Sequence, residues 1–146
     1  MATCSLSLSR SKHIGSVSSK LHRQLGTIRT MVGAIDGERE RLMALMIELE
    51  RAGITEGRPH YHQGKYLYLV QPMRKGVRKK EYIGSNIHRV RNIEEKVANF
   101  NKFREHLSTL NLLEQHAEKL SHKLDRLIKL SKAINALPAL PINITA

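Results

Sequence analysis

The stretch KYLYLVQPMRKGVRKKEYIG, residues 65–84, decides the fold of this chain. Tyrosine or valine alternates with leucine over residues 66–70, and a second alternation covers residues 77–83. A period of two is typical of strands with one buried face. Gly76 stands where a turn tolerates positive φ, and Pro72 places the end of the first strand at a sheet edge. The stretch predicts a two-stranded β-hairpin.

The residues before the hairpin carry an apolar seam with the alternating 3,4 spacing of heptads. Its two columns are Leu21, Ile28, Ile35, Leu42 and Leu49, and Leu25, Val32 and Met46. The seam predicts a helix that packs against another helix. The glycines at positions 26, 33 and 37 weaken this helix. Asp36 is expected to be an N-cap at which the helix starts again after a kink. Arg51 and Gly53 mark its end, because a cation suits the last turn and glycine suits a left-handed C-cap.

A second helical pattern follows the hairpin. Asn92 is a candidate N-cap, with two glutamates in the first turn, and Pro138 stops the helix after about Ala136. The seam of this helix consists of Ile93, Val97, Phe100, Leu107, Leu110, Leu113, Ala117, Leu120, Leu124, Leu127 and Ile134. Two long seams predict an antiparallel pair of helices with the hairpin at its tip.

The fold expected from these patterns is mainly α: two long antiparallel, coiled-coil-like helices with an inserted two-stranded basic β-hairpin. Residues 1–18 are expected to form a flexible basic, Ser-rich arm, residues 19–136 the helical domain with the hairpin at about 65–84, and residues 137–146 an extended tail. Organelle transit peptides share the composition of the arm, and that alternative stays open. No apolar run of about 18 residues is present, so no membrane span is expected.

The chain is strongly basic and holds one cysteine. It has 25 Lys and Arg against 13 Asp and Glu, a formal net charge of +12. This balance favours polyanionic partners such as DNA, RNA or acidic protein surfaces. Because Cys4 is alone, an intramolecular disulfide and a multi-cysteine zinc site are excluded, and a reducing, cytoplasmic setting is expected.

The positive charge is densest between residues 74 and 91, where seven cations face the single acid Glu81. These cations are Arg74, Lys75, Arg78, Lys79, Lys80, Arg89 and Arg91. A two-stranded ribbon fits the DNA major groove, so the set is a candidate nucleic-acid site. Tyr66, Tyr68 and Tyr82 are expected to anchor the sheet while their hydroxyl groups reach phosphate oxygens. A solvated edge, where lysines only prevent pairing with other sheets, is the alternative.

Metal binding and catalysis have little support in the sequence. His60 and His62 lie on one side of an extended segment and His88 is a third candidate, but no thiolate or carboxylate completes a metal site. No nucleophile elbow, phosphate-cradling glycine loop or carboxylate pair is present. The chain is therefore expected to have no cofactor, no bound metal and no enzymatic activity.

The order Tyr-x-Tyr-x-Val, basic turn and basic strand ending in Tyr82-Ile83-Gly84 before a helix resembles the arm-type DNA-binding hairpin of phage integrases, over about residues 65–107. The chain is also similar, over about residues 38–130, to small coiled-coil and β-hairpin proteins of unknown function from bacteria and mobile elements. The first resemblance implies DNA binding without strand cleavage, because the catalytic domain of a recombinase is lacking.

Two functions follow as expectations. In the first, the chain is a dimeric accessory protein of a plasmid, phage or integrative element and binds double-stranded DNA. It then assists a relaxase in conjugation, assists a recombinase, or regulates transcription. The alternative is a protein-interaction module, a phage-type inhibitor or adaptor that acts on a larger nucleic-acid-binding machine. RNA also stays open as a target, because the sequence shows no obvious platform for base stacking.

Overall fold

The computed structural model describes the backbone of residues 4–136 and the side chains of residues 16–136. Its elements are α1 (Cys4–Ala52), β1 (Arg58–His62), β2 (Tyr66–Val70), β3 (Lys80–Gly84) and α2 (Ile87–Asn135). The prediction of a mainly α chain with an inserted hairpin is confirmed. The predicted tail, residues 137–146, and the first three residues of the predicted arm lie outside the described residues.

Helix α1 is longer and more regular than the sequence suggested. It has no break, so the predicted restart at Asp36 is wrong. The glycines that suggested a kink, Gly33 and Gly37 among them, lie on the exposed side of the helix with no atom within 4 Å of an added Cβ. The apolar column of every seventh residue therefore continues past them. The helix also includes residues 4–18, which were expected to form an arm.

Helix α2 begins at Ile87, before the predicted N-cap at Asn92. Asn86 is the cap: its Oδ1 accepts hydrogen bonds from the backbone N–H groups of His88 at 3.0 Å and Arg89 at 3.4 Å. Only Ser85 separates this cap from the end of β3, so two residues connect the strand to the helix.

The sheet has three antiparallel strands in the order β1-β2-β3. The predicted β2–β3 hairpin is confirmed, but strand β1 was not predicted. Its sequence RPHYH lacks an apolar alternation, and Pro59 fits only because β1 is an edge strand. Strand β3 is shorter than the predicted run over residues 77–83, because the chain first makes a separate tight turn. In that turn Lys75 and Gly76 both have positive φ, 51° and 75°, as type I′ turns require.

A cluster of buried apolar residues lies between the sheet and the first turns of α2. Leu67, Leu69, Ile83 and Val97 are buried, and Val90 and Ile93 pack against them. The strand positions that alternate with these residues face the other way, so the sheet has one covered and one open face. We call these the inner face and the outer face.

The described residues form two compact units. One contains α1 up to Gly37 and α2 from Leu113, and the other contains residues 38–112. The amino-terminal half of one helix thus belongs with the carboxy-terminal half of the other, as expected for an antiparallel pair. In the second unit the backbone N–H of Thr55 donates to the Lys96 carbonyl at 3.1 Å. Within the described residues, neither helix contains an apolar segment long enough to cross a bilayer.

We expect Gly57→Ala to lower the free energy of unfolding by about 1–3 kcal/mol. Gly57 has φ of 146°, and a Cβ added there would lie 2.7 Å from the side chain of the buried Leu69. The matched control is Gly37→Ala, where helix propensity should raise stability by up to about 1 kcal/mol. Urea unfolding of both variants checks the signs, and equal stability of the two proteins would contradict this packing.

Candidate nucleic-acid interface

The loop between β2 and β3, residues 71–79, presents most of the predicted cations. Its backbone is closed by hydrogen bonds from Gln71 N to Lys79 O at 2.9 Å and between Arg74 and Val77 at 3.0 Å in both directions. All four cations of the loop are exposed, and so is the adjoining Lys80; the four are Arg74, Lys75, Arg78 and Lys79. A short, internally bonded loop loses little conformational freedom when its cations meet a polyanion. The loop and Lys80 are called the basic loop below.

One cation of the basic loop is already paired. The Nη2 atom of Arg74 lies 2.6 Å from Oε2 of Glu56. Among the described side chains, no other member of the loop forms a salt bridge. Arg74 therefore ties the loop to the segment before β1, and its charge is partly neutralised. Lys75, Arg78 and Lys79 keep their full charge for a ligand.

Arg89 and Arg91 do not join the basic loop. Both are exposed on the first turns of α2, which follows the Gly84 end of β3, whereas the loop precedes the Lys80 end. A five-residue strand spans about 17 Å, so the two groups of cations stand at opposite ends of the sheet. The single cluster expected from the sequence is thus divided in two.

The outer face of the sheet carries rows of side chains that run across the strands. Register places Arg58 opposite Val70 and Val70 opposite Lys80, and in the next row His60 opposite Tyr68 and Tyr68 opposite Tyr82. A third row pairs His62 with Tyr66, and Nζ of Lys65 lies 5.8 Å from the Tyr66 ring centroid. The outer face is therefore basic at one end and aromatic in the middle.

The three tyrosines that were predicted to anchor the sheet lie outside its buried core. Leu67, Leu69 and Ile83 fill the inner face, while Tyr66, Tyr68 and Tyr82 lie on the outer face. A further link between the sheet and α2 comes from Tyr61 of β1, whose hydroxyl group donates a hydrogen bond to the Glu94 carboxylate. This role was missed, because the RPHYH stretch was not recognised as a strand.

Two further arginines were also missed by sequence reasoning. A cleft of about 440 Å³ opens beside the basic loop. Arg78 of the loop lines it together with Arg58 of β1 and Arg104 of α2, over apolar side chains that include Val97 and Phe100. The three arginines are far apart in sequence, so no local charge count could bring them together. They extend the basic surface from the loop to the neighbouring part of α2.

Metal binding and acid–base chemistry gain no site from the geometry. In the part of the chain that the structure describes, no three His, Cys, Asp or Glu side chains come together. His60 and His62 stand beside tyrosines on the outer face instead. On α1, Arg41 donates hydrogen bonds of 2.9 Å and 2.5 Å to Glu38 and so lowers the pKa of that exposed carboxyl group.

The candidate site combines positive charge with an aromatic surface. Its components are an exposed basic loop, a cleft lined by three arginines and an aromatic sheet face. No protein-family model, curated protein or solved structure matches this chain.

Proposed function

We propose that this chain is a cytoplasmic accessory protein of a mobile genetic element, and that it binds duplex DNA through the basic loop and the adjoining edge of the sheet. The observation that carries the proposal is the exposure of Lys75, Arg78, Lys79 and Lys80 without an ionic partner among the described side chains. Its role is binding in plasmid transfer, recombination or transcriptional regulation, and no catalytic step is assigned to it.

The shape of the basic loop suits a duplex. A two-stranded ribbon enters the major groove of B-DNA, and cations on the ribbon then lie near the phosphates on both sides. Arg58 and Lys80 occupy opposite edges of the same outer row, with Val70 between them. Adjacent strands lie about 4.8 Å apart, so this row presents two cations about 10 Å from each other at the Cα level. Such a pair can contact two phosphates while the loop enters the groove.

We expect duplex binding to depend steeply on salt. If Arg58, Lys75, Arg78, Lys79 and Lys80 each neutralise one phosphate, the slope of log association constant against log salt concentration is about −4 to −5. Fluorescence anisotropy of a labelled 20-base-pair duplex over about 50–300 mM NaCl measures it. A slope shallower than about −1 would contradict the proposal, since a protein that contacts few phosphates releases few counterions.

We further propose that the chain forms a homodimer and that it contacts a relaxase or recombinase. In the unit that contains α1 up to Gly37, a pair of helices leaves apolar side chains exposed on both, among them Met31, Val32, Ile128 and Leu130. A second copy would cover them. Sedimentation equilibrium is expected to give twice the chain mass of 16.6 kDa, and Val32→Glu to shift the mass towards one chain. A single-chain mass for the unmodified protein at about 100 μM would contradict the dimer.

A protein-interaction module is the second candidate function. In the same unit a groove of about 630 Å³ has an apolar floor that includes Ile28 and Leu127, and a rim of Lys20, Arg23, Lys123 and Arg126. Such a groove suits an acidic amphipathic helix of a larger nucleic-acid-binding machine. Under this alternative, Lys123→Glu abolishes function while substitutions in the basic loop leave it intact. The DNA-binding proposal predicts the reverse.

A further inference from the structure

An aromatic row crosses the middle of the outer face. It consists of His60 on β1, Tyr68 on β2 and Tyr82 on β3, which are paired in register. The ring centroids of Tyr68 and Tyr82 lie 5.1 Å apart with the planes tilted by 52°. Tyr82 is 55% exposed, whereas the next residue of the same strand, Ile83, is buried. The row thus offers ring faces and edges to a ligand.

Positively charged side chains surround this row, and the phosphates of a nucleic-acid strand require such charges. Arg58 and Lys80 flank it in the neighbouring row of the outer face, and Lys65 stands over Tyr66 on the other side. The one acid of β3, Glu81, alternates with Tyr82 and belongs to the opposite side of the strand. Aromatic rings between cations are the arrangement with which proteins hold single strands: bases stack on the rings while the backbone follows the charges.

We propose that the row of His60, Tyr68 and Tyr82 stacks the unpaired bases of single-stranded DNA, with Arg58 and Lys80 on the flanking phosphates. This inference rests on the proposed DNA binding and adds a second ligand form, which shares Arg58 and Lys80 with the duplex but is held in addition by the aromatic row. A duplex cannot occupy the row in this way, because its base faces are covered by neighbouring base pairs. Single-stranded DNA next to a duplex, as at a nick or a melted segment, would occupy the row and the basic loop together.

A purely structural role for the tyrosines makes a different prediction. Cross-strand aromatic pairs stabilise sheets by a few tenths of a kcal/mol to about 1 kcal/mol without any ligand. In that case replacement of Tyr82 changes stability and leaves DNA binding unaltered. The chain has no Trp and four Tyr, three of them on the outer face, so tyrosine emission reports directly on stacking there.

The test uses the full chain with three labelled probes: a 20-nucleotide oligo-dT, a 20-nucleotide oligo-rU and a 20-base-pair duplex. We expect oligo-dT to quench tyrosine emission and Tyr82→Ala to weaken its binding about tenfold or more. Tyr82→Phe, which keeps the ring, should bind oligo-dT within about twofold of the unmodified protein. Duplex affinity should stay unchanged in Tyr82→Ala, and thermal unfolding checks that each variant is folded.

The outcomes separate the two proposals. If oligo-dT neither binds nor quenches while the duplex binds, the stacking inference is wrong and the proposed function stands. If oligo-dT binds and the duplex does not, the proposed duplex function is wrong. Equal loss of oligo-dT and duplex binding in Tyr82→Ala would overturn the separate role of the aromatic row. Tighter binding of oligo-rU than of oligo-dT would overturn the assignment to DNA.

Discussion

Simultaneous replacement of Arg78, Lys79 and Lys80 with alanine should abolish retention of duplex DNA. Each phosphate contact that releases about 0.9 counterion contributes roughly eightfold in affinity at 100 mM salt, so loss of three contacts weakens binding on the order of several hundredfold. The salt slope should become shallower by about 3. All three side chains are exposed, so circular dichroism should show unchanged helicity. The measurement is anisotropy of the labelled duplex at fixed salt.

A charge-matched control separates the basic loop from the net charge of the chain. Lys119, Lys129 and Lys132 are exposed on α2 in the other unit, and their replacement with alanine removes the same three charges. We expect this control to bind within about threefold of the unmodified protein, because these lysines belong neither to the basic loop nor to the lining of its cleft. An equal loss in both triple variants would mean that binding depends only on total charge.

Leu69→Ala should lower the free energy of unfolding by about 2–5 kcal/mol. Leu69 is fully buried in a small core with Leu67, Ile83 and Val97, and few neighbours can move to fill the space it leaves. Since small domains have only about 5–15 kcal/mol of stability, this change removes a large part of it. The core also positions the sheet, so DNA binding should fall with it. Urea unfolding monitored by tyrosine emission gives the free energy.

The same substitution on the surface provides the control for the core. Leu112 on α2 is 54% exposed, so Leu112→Ala removes the same atoms from a site that solvent already reaches. We expect a change within about 0.5 kcal/mol for this variant. If Leu69→Ala were as well tolerated as Leu112→Ala, the packing of the sheet on α2 would be wrong.

Periodicity made two elements of the fold predictable from the sequence. The YLYLV run contains an alternation that only a strand can use, and the column from Leu21 to Leu49 contains a heptad spacing that only a helix can use. Strand β1 could not be recognised in this way, because an edge strand with Pro59 carries no apolar alternation and depends on pairing with β2. Its presence is a tertiary effect.

The sequence could predict only those parts of the candidate site whose residues are close together along the chain. The cations of the basic loop are neighbours along the chain and in space, whereas Arg89 and Arg91 are carried to the other end of β3. Arg58 and Arg104 reach the same cleft as Arg78 only because β1 and α2 pack beside the loop. The orientation of the tyrosines was equally hidden, since a YLYLV strand can bury either its tyrosines or its leucines. The apolar surface of α2 decides that the leucines are buried.

A nuclear magnetic resonance titration of the isotope-labelled chain with a 20-base-pair duplex can locate the DNA-binding surface residue by residue. If DNA binds as proposed, amide shifts concentrate in the basic loop, residues 71–80, and in Arg58 of β1. Residues 16–37 and 113–136, which belong to the other unit, should stay unchanged. Shifts confined to that other unit, or no shifts at all at about 100 mM salt, would contradict DNA binding through this surface.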